Sequence, residues 1–382
     1  MRLPLGFEIA GVTAGLKASG KPDLGLVYSP YPLAWALTST DNLVKAPCVS
    51  RNRSRYTSRA AVRGIVVNSG NANCATGERG IWDNEDMAGA VAAALALARV
   101  QDMLTASTGV IGEPLPVDRI RQAVPALTGA LGDDSGAFAD AILTTDTAPK
   151  QVAATVDGGG RILGIAKGSG MIHPNMATML AFILTDVDVS QDALRAMWPG
   201  IVERTFNQIT VDGDTSTNDM AIVLSSRQLA ADVHAFADAL EEVAGKLARK
   251  IARDGEGAEH LLSVRVTGAR TGPEARDAAR TVAGSALVKT AVHGADPNWG
   301  RILAAIGRSS AISDLANLRI ALQGVTVYQG VARPFDRQAL SERLRAEEIL
   351  IEVDLAAGES VGEAWGCDLS PAYVRINADY TT

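Results

Sequence analysis

Thr178 stands where an N-terminal nucleophile can be made. It lies in residues 167–186, KGSGMIHPNMATMLAFILTD. Gly168, Ser169, Gly170 and Pro174 precede it, and beyond it the chain turns continuously apolar, which places the hydroxyl at the rim of a buried strand. Cutting the bond between Ala177 and Thr178 would give Thr178 both a hydroxyl and a free α-amine of pKa about 8, a usable general base. The same spacing also describes a threonine that opens a strand and bonds only its local backbone, and from spacing alone that common arrangement is the favoured reading.

Other chemistries find less support. Loop 212–218, DGDTSTN, alternates oxygen side chains as a calcium loop does, but Thr217 occupies the glycine position and Val223 the position of the bidentate Glu. It reads as a polar loop that lines a site or caps the next element. His173, His234, His260 and His293 never recur at i+3 or i+4, and Cys48, Cys74 and Cys367 contain no CxxC pair, so neither a metal site nor a disulfide framework is expected. His173 and Cys74 read as loop and packing residues rather than as base and nucleophile. Neither GxGxxG nor GxxxxGK[ST] occurs, so no phosphate cradle is signalled.

The elements that must position Thr178 alternate between short strands and long helices. Strand-like runs fall at 25–28 and at 64–67, the second ending in NSGNAN at 68–73, and again at 103–107, leading into Thr108 and Gly109. Further strands are expected at 151–156, 161–166, 181–185 and 221–225, with helices at 83–100, 117–130, 190–206 and 233–253. From about residue 262 the texture changes to a strand, two helices at 273–284 and 285–290, the loop HGADPNWGR and further alternating strands. The pattern predicts an α/β protein. A boundary near residue 270 separates a main domain, 1–270, from a smaller α+β domain, 271–382.

Composition bounds the rest. The 382 residues carry 36 Lys and Arg against 43 Asp and Glu, a net charge of −7, so the chain lacks the basic stripe a nucleic-acid binder needs. The densest basic stretch, 51–63, reads as a solvated loop. The apolar runs are far shorter than the roughly 20 residues of a membrane span. The start, MRLPLGFEIAG, has no apolar h-region, and the odd, scattered cysteines suit a reducing compartment, so a soluble cytoplasmic protein is expected.

Seven long motifs occur in order along essentially the whole chain: NSGNANCATG at 68–77, STGVIG at 107–112, TTDT at 144–147, KGSGMIHPNMATML at 167–180, FNQITVDGDTSTND at 206–219, HGADPNWGRI at 293–302 and the ending YVRINADYTT. Together they closely resemble the ornithine acetyltransferase family of arginine biosynthesis, also called glutamate N-acetyltransferases. The resemblance implies a layered α+β sandwich of the N-terminal nucleophile aminopeptidase type, its main domain holding the site, and self-cleavage between Ala177 and Thr178 into an α chain, 1–177, and a β chain from 178. Thr178 would then carry acetyl from N2-acetylornithine to glutamate in a ping-pong reaction. Its oxyanion donors map onto Thr108 and Gly109, and its substrate contacts onto Thr144, Lys167, Thr178, Glu256, Asn377 and Thr382, the last two implying a C-terminal tail that returns to the site after an alternating strand, YVRIN. The resemblance implies no cofactor and no metal, leaves open acetyl-CoA as a second donor, and implies an α2β2 heterotetramer. A related N-terminal nucleophile amidase or aminopeptidase, with water as acceptor, and a non-catalytic relative are the alternatives.

Overall fold

The computed structural model describes residues 1–173, 179–311 and 314–379. The first sheet takes β1 (Glu8–Val12), β2 (Leu24–Ser39), β3 (Val62–Asn71), β4 (Met103–Val110), β5 (Lys150–Thr155), β6 (Arg161–Lys167) and β7 (Leu180–Val187). After β8 (Ile209–Thr210) departs to a second sheet, β9 (Met220–Leu229) completes the first. Its order is β4-β3-β2-β9-β7-β6-β5, with β1 paired to β2. The long β2 joins the two halves: its register on β3 shifts between Tyr28 and Leu33, and its second half, from Ala34, runs antiparallel to β9.

This bend folds the sheet onto itself. Val27, Ile65 and Leu104 from one half share a core with Ile165, Phe182 and Ile222 from the other. Strand alternation then aims the intervening residues outward, so each half needs a second cover. The basic stretch contributes at the edge of the shared core and is no solvated loop, because 47–57 forms α1 (Pro47–Thr57), with Pro47 preset for the first turn and Cys48 and Val49 buried. Its arginines pair outward, Arg51 with Glu85, Arg53 with Asp41 and Arg55 with Asp102. On the outer face of the first half, Leu26, Val66 and Met103 pack on Met87 and Val91 of α2 (Gly77–Ala94) and on Ile120 and Val124 of α3 (Val117–Gly129). α4 (Ser135–Ala141) puts Phe138 edge-on against Phe182 in the shared core. On the outer face of the second half, Ala181, Ile183 and Val223 meet Trp198 of α5 (Gln191–Arg204) and Phe236, Leu240 and Val243 of α6 (Val233–Arg253). The result is helices, two facing half-sheets and helices again. β7 and the first half of β9 are buried on both faces, which is why Leu180–Leu184 and Met220–Leu224 read as unbroken apolar runs.

The second sheet holds β10 (Leu261–Ala269), β11 (Arg319–Leu322), β12 (Val325–Gln329), β13 (Val331–Ala332), β14 (Glu348–Asp354) and β15 (Ser360–Cys367), in the order β13-β12-β11-β14-β10-β15-β8. Its core forms against α7 (Gly272–Ala283), α8 (Ala286–His293) and α9 (Trp299–Ile306). β10 pairs with both β14 and β15, so this sheet begins on the N-terminal side of residue 270. Trp365 and Cys367 of β15 turn into the α6 core and join the two bodies. After α10 (Arg337–Arg343) the chain closes with α11 (Pro371–Asp379). The YVRIN segment is therefore helical and not a strand: Pro371 opens the helix, and the Ser370 hydroxyl accepts from Ala372 N at 3.1 Å. Among the described residues no helix is long and apolar enough to cross a membrane.

Candidate active site

The ends of β4 and β6 open onto a cavity of about 130 Å³. Thr108, Gly109, Thr144, Lys167, Glu256 and Asn377 all line it, so six of the expected site residues converge although they come from five separate parts of the chain. Ala177, Thr178 and Thr382 lie outside the described residues. A larger hollow of about 690 Å³ between α1 and α2 is lined by Arg51 and Arg55, both already paired with carboxylates, and holds none of these groups.

Lys167 is the buried cation of the site, and its Nζ donates to Thr108 Oγ1 at 3.2 Å. Burial pushes its pKa down, while Asp146 pulls it back up. Asp146 lies one turn of loop away, accepting from Lys150 Nζ and Gly168 N, each at 2.7 Å, and from Thr144 N at 3.1 Å. Burial would raise its carboxyl pKa, but the charges of Lys167 and Lys150 hold it well below the usual carboxylate range. Lys150 also donates to Asp254 at 2.5 Å, and Asp254 takes the Thr147 N–H and hydroxyl. One ionic cluster thus fixes the loops that carry Thr144, Lys167 and Glu256. In Lys150→Met the buried Asp146 carboxylate and the partly exposed Asp254 carboxylate lose their shared cation, and we expect a destabilisation of about 3 kcal/mol at pH 7, read by thermal melting. The sign with pH follows from Asp146: its depressed pKa contributes stability above the unfolded value near 4, and this is lost as pH falls below it.

Glu256 is set by backbone. Its N–H donates to Ser169 O at 3.1 Å, and Asn377 Nδ2 of α11 donates to its Oε2 at 2.9 Å. The tail thereby reaches the cavity, and Gly257 makes room for it: at φ +70°, a Cβ there would stand 2.5 Å from Tyr373 N. Gly170 faces Glu256 so closely that a Cβ would fall 2.4 Å from its carboxylate. In Gly170→Ala the mobile carboxylate moves aside and the fold persists, so KM for a cationic substrate should rise at least about tenfold with the melting temperature unchanged.

The DGDTSTND loop holds both ends of the segment that contains Thr178. Asp212 accepts from Met171 N at 2.6 Å and Ile172 N at 2.8 Å on the upstream side. Asp219 accepts from Met179 N at 3.0 Å on the downstream side. Asn218 ties the loop to the strand that carries Thr108 and Gly109 by donating to Ser107 O at 2.8 Å, and to the chain after β3 by donating to Ala72 O at 2.7 Å. Sequence reasoning placed this loop at a site but missed Asp146, Lys150, Asn218 and Asp219. TTDT and TSTND contained three of them, and for Asn218 and Asp219 the signal was an amide and an acid directly before the apolar start of β9. His173 bonds Thr210 Oγ1 at 3.2 Å, and Cys74 is a buried free thiol, so both serve packing. His293 Nδ1 meets Asp368 at 2.8 Å with Glu259 nearby, while Asp368 also accepts from Glu259 N and His260 N, which anchors β15.

A buried lysine, a threonine hydroxyl and a glycine backbone gathered beside a clamped Thr-containing segment define an enzyme of acyl transfer. The ArgJ family model matches residues 8–382. The arginine biosynthesis bifunctional protein ArgJ of Thermus thermophilus is 55% identical over 100% of both chains, and that of Deinococcus radiodurans 52% identical over 99% of this chain and 97% of its own. The crystal structure of the ArgJ protein from Bacillus halodurans is 42% identical with a TM-score of 0.52, and the match covers 53% of this chain and 100% of that one. The chain belongs to the ArgJ family, and it is an acetyltransferase of arginine biosynthesis.

Proposed function

We propose that the chain cuts itself between Ala177 and Thr178 and then moves acetyl from N2-acetylornithine to glutamate through an ester on Thr178. The observation that carries this reading is the convergence of Thr108, Gly109, Thr144, Lys167, Glu256 and Asn377 on one cavity, beside the two clamped ends of the Thr178 segment.

The chemistry follows from the groups present. The Thr178 α-amine takes the hydroxyl proton as Oγ attacks the acetyl carbonyl, and negative charge collects on the carbonyl oxygen. Thr108 and Gly109 stabilise that charge, with the Lys167 ammonium behind Thr108. Glu256 receives the ornithine ammonium and Lys167 the substrate carboxylate. Ornithine leaves, and the glutamate amine attacks the ester to give N-acetylglutamate. Thr382 adds a further substrate contact from the tail, acetyl-CoA acts as a second donor to the same threonine, and two cleaved copies assemble as α2β2 in the cytoplasm. No cofactor takes part.

The test is acetyl transfer with labelled N2-acetylornithine, with and without glutamate. Label should appear in N-acetylglutamate. Release of free acetate at a rate indifferent to glutamate would sink the transferase reading.

A further inference from the structure

Outside the cavity, one cluster of donor atoms has no part in acyl transfer. Asp368 follows β15 and is buried, and backbone sets its carboxylate: Oδ1 accepts from Glu259 N at 2.8 Å and from His260 N at 2.9 Å. Asp368 N in turn donates to His260 O at 3.3 Å, so the strand end and the 259–260 loop fix each other. The second oxygen, Oδ2, lies 2.8 Å from Nδ1 of the half-buried His293, the last residue of α8. The exposed Glu259 completes a triangle: its Oε2 is 4.0 Å from the same Nδ1, and the three ligand atoms all lie within 4.8 Å of one another. Among the described residues Glu259 has no lysine or arginine partner, and Lys289, one turn back on α8, gives its ammonium to the Cys367 carbonyl. Two carboxylates thus face one imidazole with no lysine or arginine between them.

We propose that Glu259, His293 and Asp368 bind a divalent transition-metal ion, with zinc the best match, as a structural site. One imidazole nitrogen and two carboxylate oxygens are zinc donors, and a tetrahedral zinc with ligands about 2.1 Å away holds such atoms about 3.4 Å apart, a water completing the set. The separations in the fold bracket that value: the pair at 2.8 Å opens slightly, and the exposed Glu259 side chain swings in from 4.0 Å. The metal takes the place of the hydrogen between Nδ1 and Oδ2, leaving the ring proton on Nε2. The two backbone amides on Asp368 Oδ1 are the outer contacts that hold a ligating carboxylate in place.

The position ties the ion to the loops of the active site. Glu259 follows Glu256 in the same loop, and Asp368 precedes Ser370, whose hydroxyl donates to Gly257 O at 2.6 Å where α11 begins. A metal there fastens the Glu256 loop to α8 and to the root of the tail that carries Asn377, while staying outside the cavity itself. Its ligands come from three separate stretches of the chain, so no short spacing of histidines or cysteines announces them.

Calorimetric titration of zinc chloride into the chelator-treated, full-length protein tests this. The wild type should bind one zinc per chain with a Kd of about 10 µM or tighter, and Glu259→Gln should bind at least about tenfold more weakly. That variant loses a ligand at an exposed position and keeps the Glu259 N–H on Asp368, so the fold is preserved. His293→Asn should lose zinc to the same degree, whereas His234→Asn, at an exposed histidine on α6, should bind as the wild type does. A weaker wild-type Kd, a loss under tenfold in Glu259→Gln, or an equal loss in His234→Asn overturns the site. If His293→Asn does not fold, Glu259→Gln decides alone.

Discussion

Thr178→Ala should remain one chain of 39.8 kDa on a denaturing gel, whereas the wild type resolves into residues 1–177 and 178–382. Removing the hydroxyl removes the atom that must attack the Ala177 carbonyl, and nothing else on this segment replaces it. The variant should also lack acetyl transfer altogether, because an uncleaved Thr178 position has neither nucleophile nor free amine. Thr178→Ser keeps an attacking oxygen and should still process. Two fragments from the Ala variant would mean that another residue cuts the chain, and the case for an acetyl ester on Thr178 would fall with it.

Much of this arrangement is legible in the residues, and the exceptions have physical causes. α6 appears where its apolar stripe, Phe236, Leu240, Val243 and Leu247, recurs at helical spacing between an Asp232 cap and Arg253. β7 and β9 are visible because both faces are buried over Leu180–Leu184 and Met220–Leu224, so no polar residue interrupts those two runs. α1 was hidden by its arginines: each is satisfied by an acid or carbonyl distant in sequence, and local composition reports only the charge. β3 was expected to end before Asn68, yet it runs through Asn71, because Asn68 and Ser69 find buried partners in Asn71 O and Ala141 O. The same limit applies to the site. Motifs locate residues that line the cavity, whereas Lys150 and Asp219 act on backbone and charge contributed by other loops, and only the folded chain brings these together.

Gly109→Ala should lower kcat of acetyl transfer by about 10²–10³ while leaving KM nearly unchanged. Gly109 lies opposite Gly70 where β3 and β4 run in parallel, at φ +134°, and a Cβ there would stand 2.3 Å from Gly70 C and 2.5 Å from Asn71 N. Neither contact can be relieved by a rotamer, because both atoms are backbone, so the strands must part at the oxyanion end. An oxyanion donor displaced by even part of an ångström loses its aim at the transition-state oxygen and keeps much of its ground-state packing, which is why the loss falls on kcat. Gly112→Ala supplies the control. That residue has φ +90° and nothing within 4 Å of its Cβ position, so the substitution carries the backbone strain, about 1–3 kcal/mol, without the collision. If both variants lose kcat equally, strain in the β4 turn explains the effect and the oxyanion assignment fails. If only Gly109→Ala loses it, the close approach of Gly70 and Gly109 is what aims the donor.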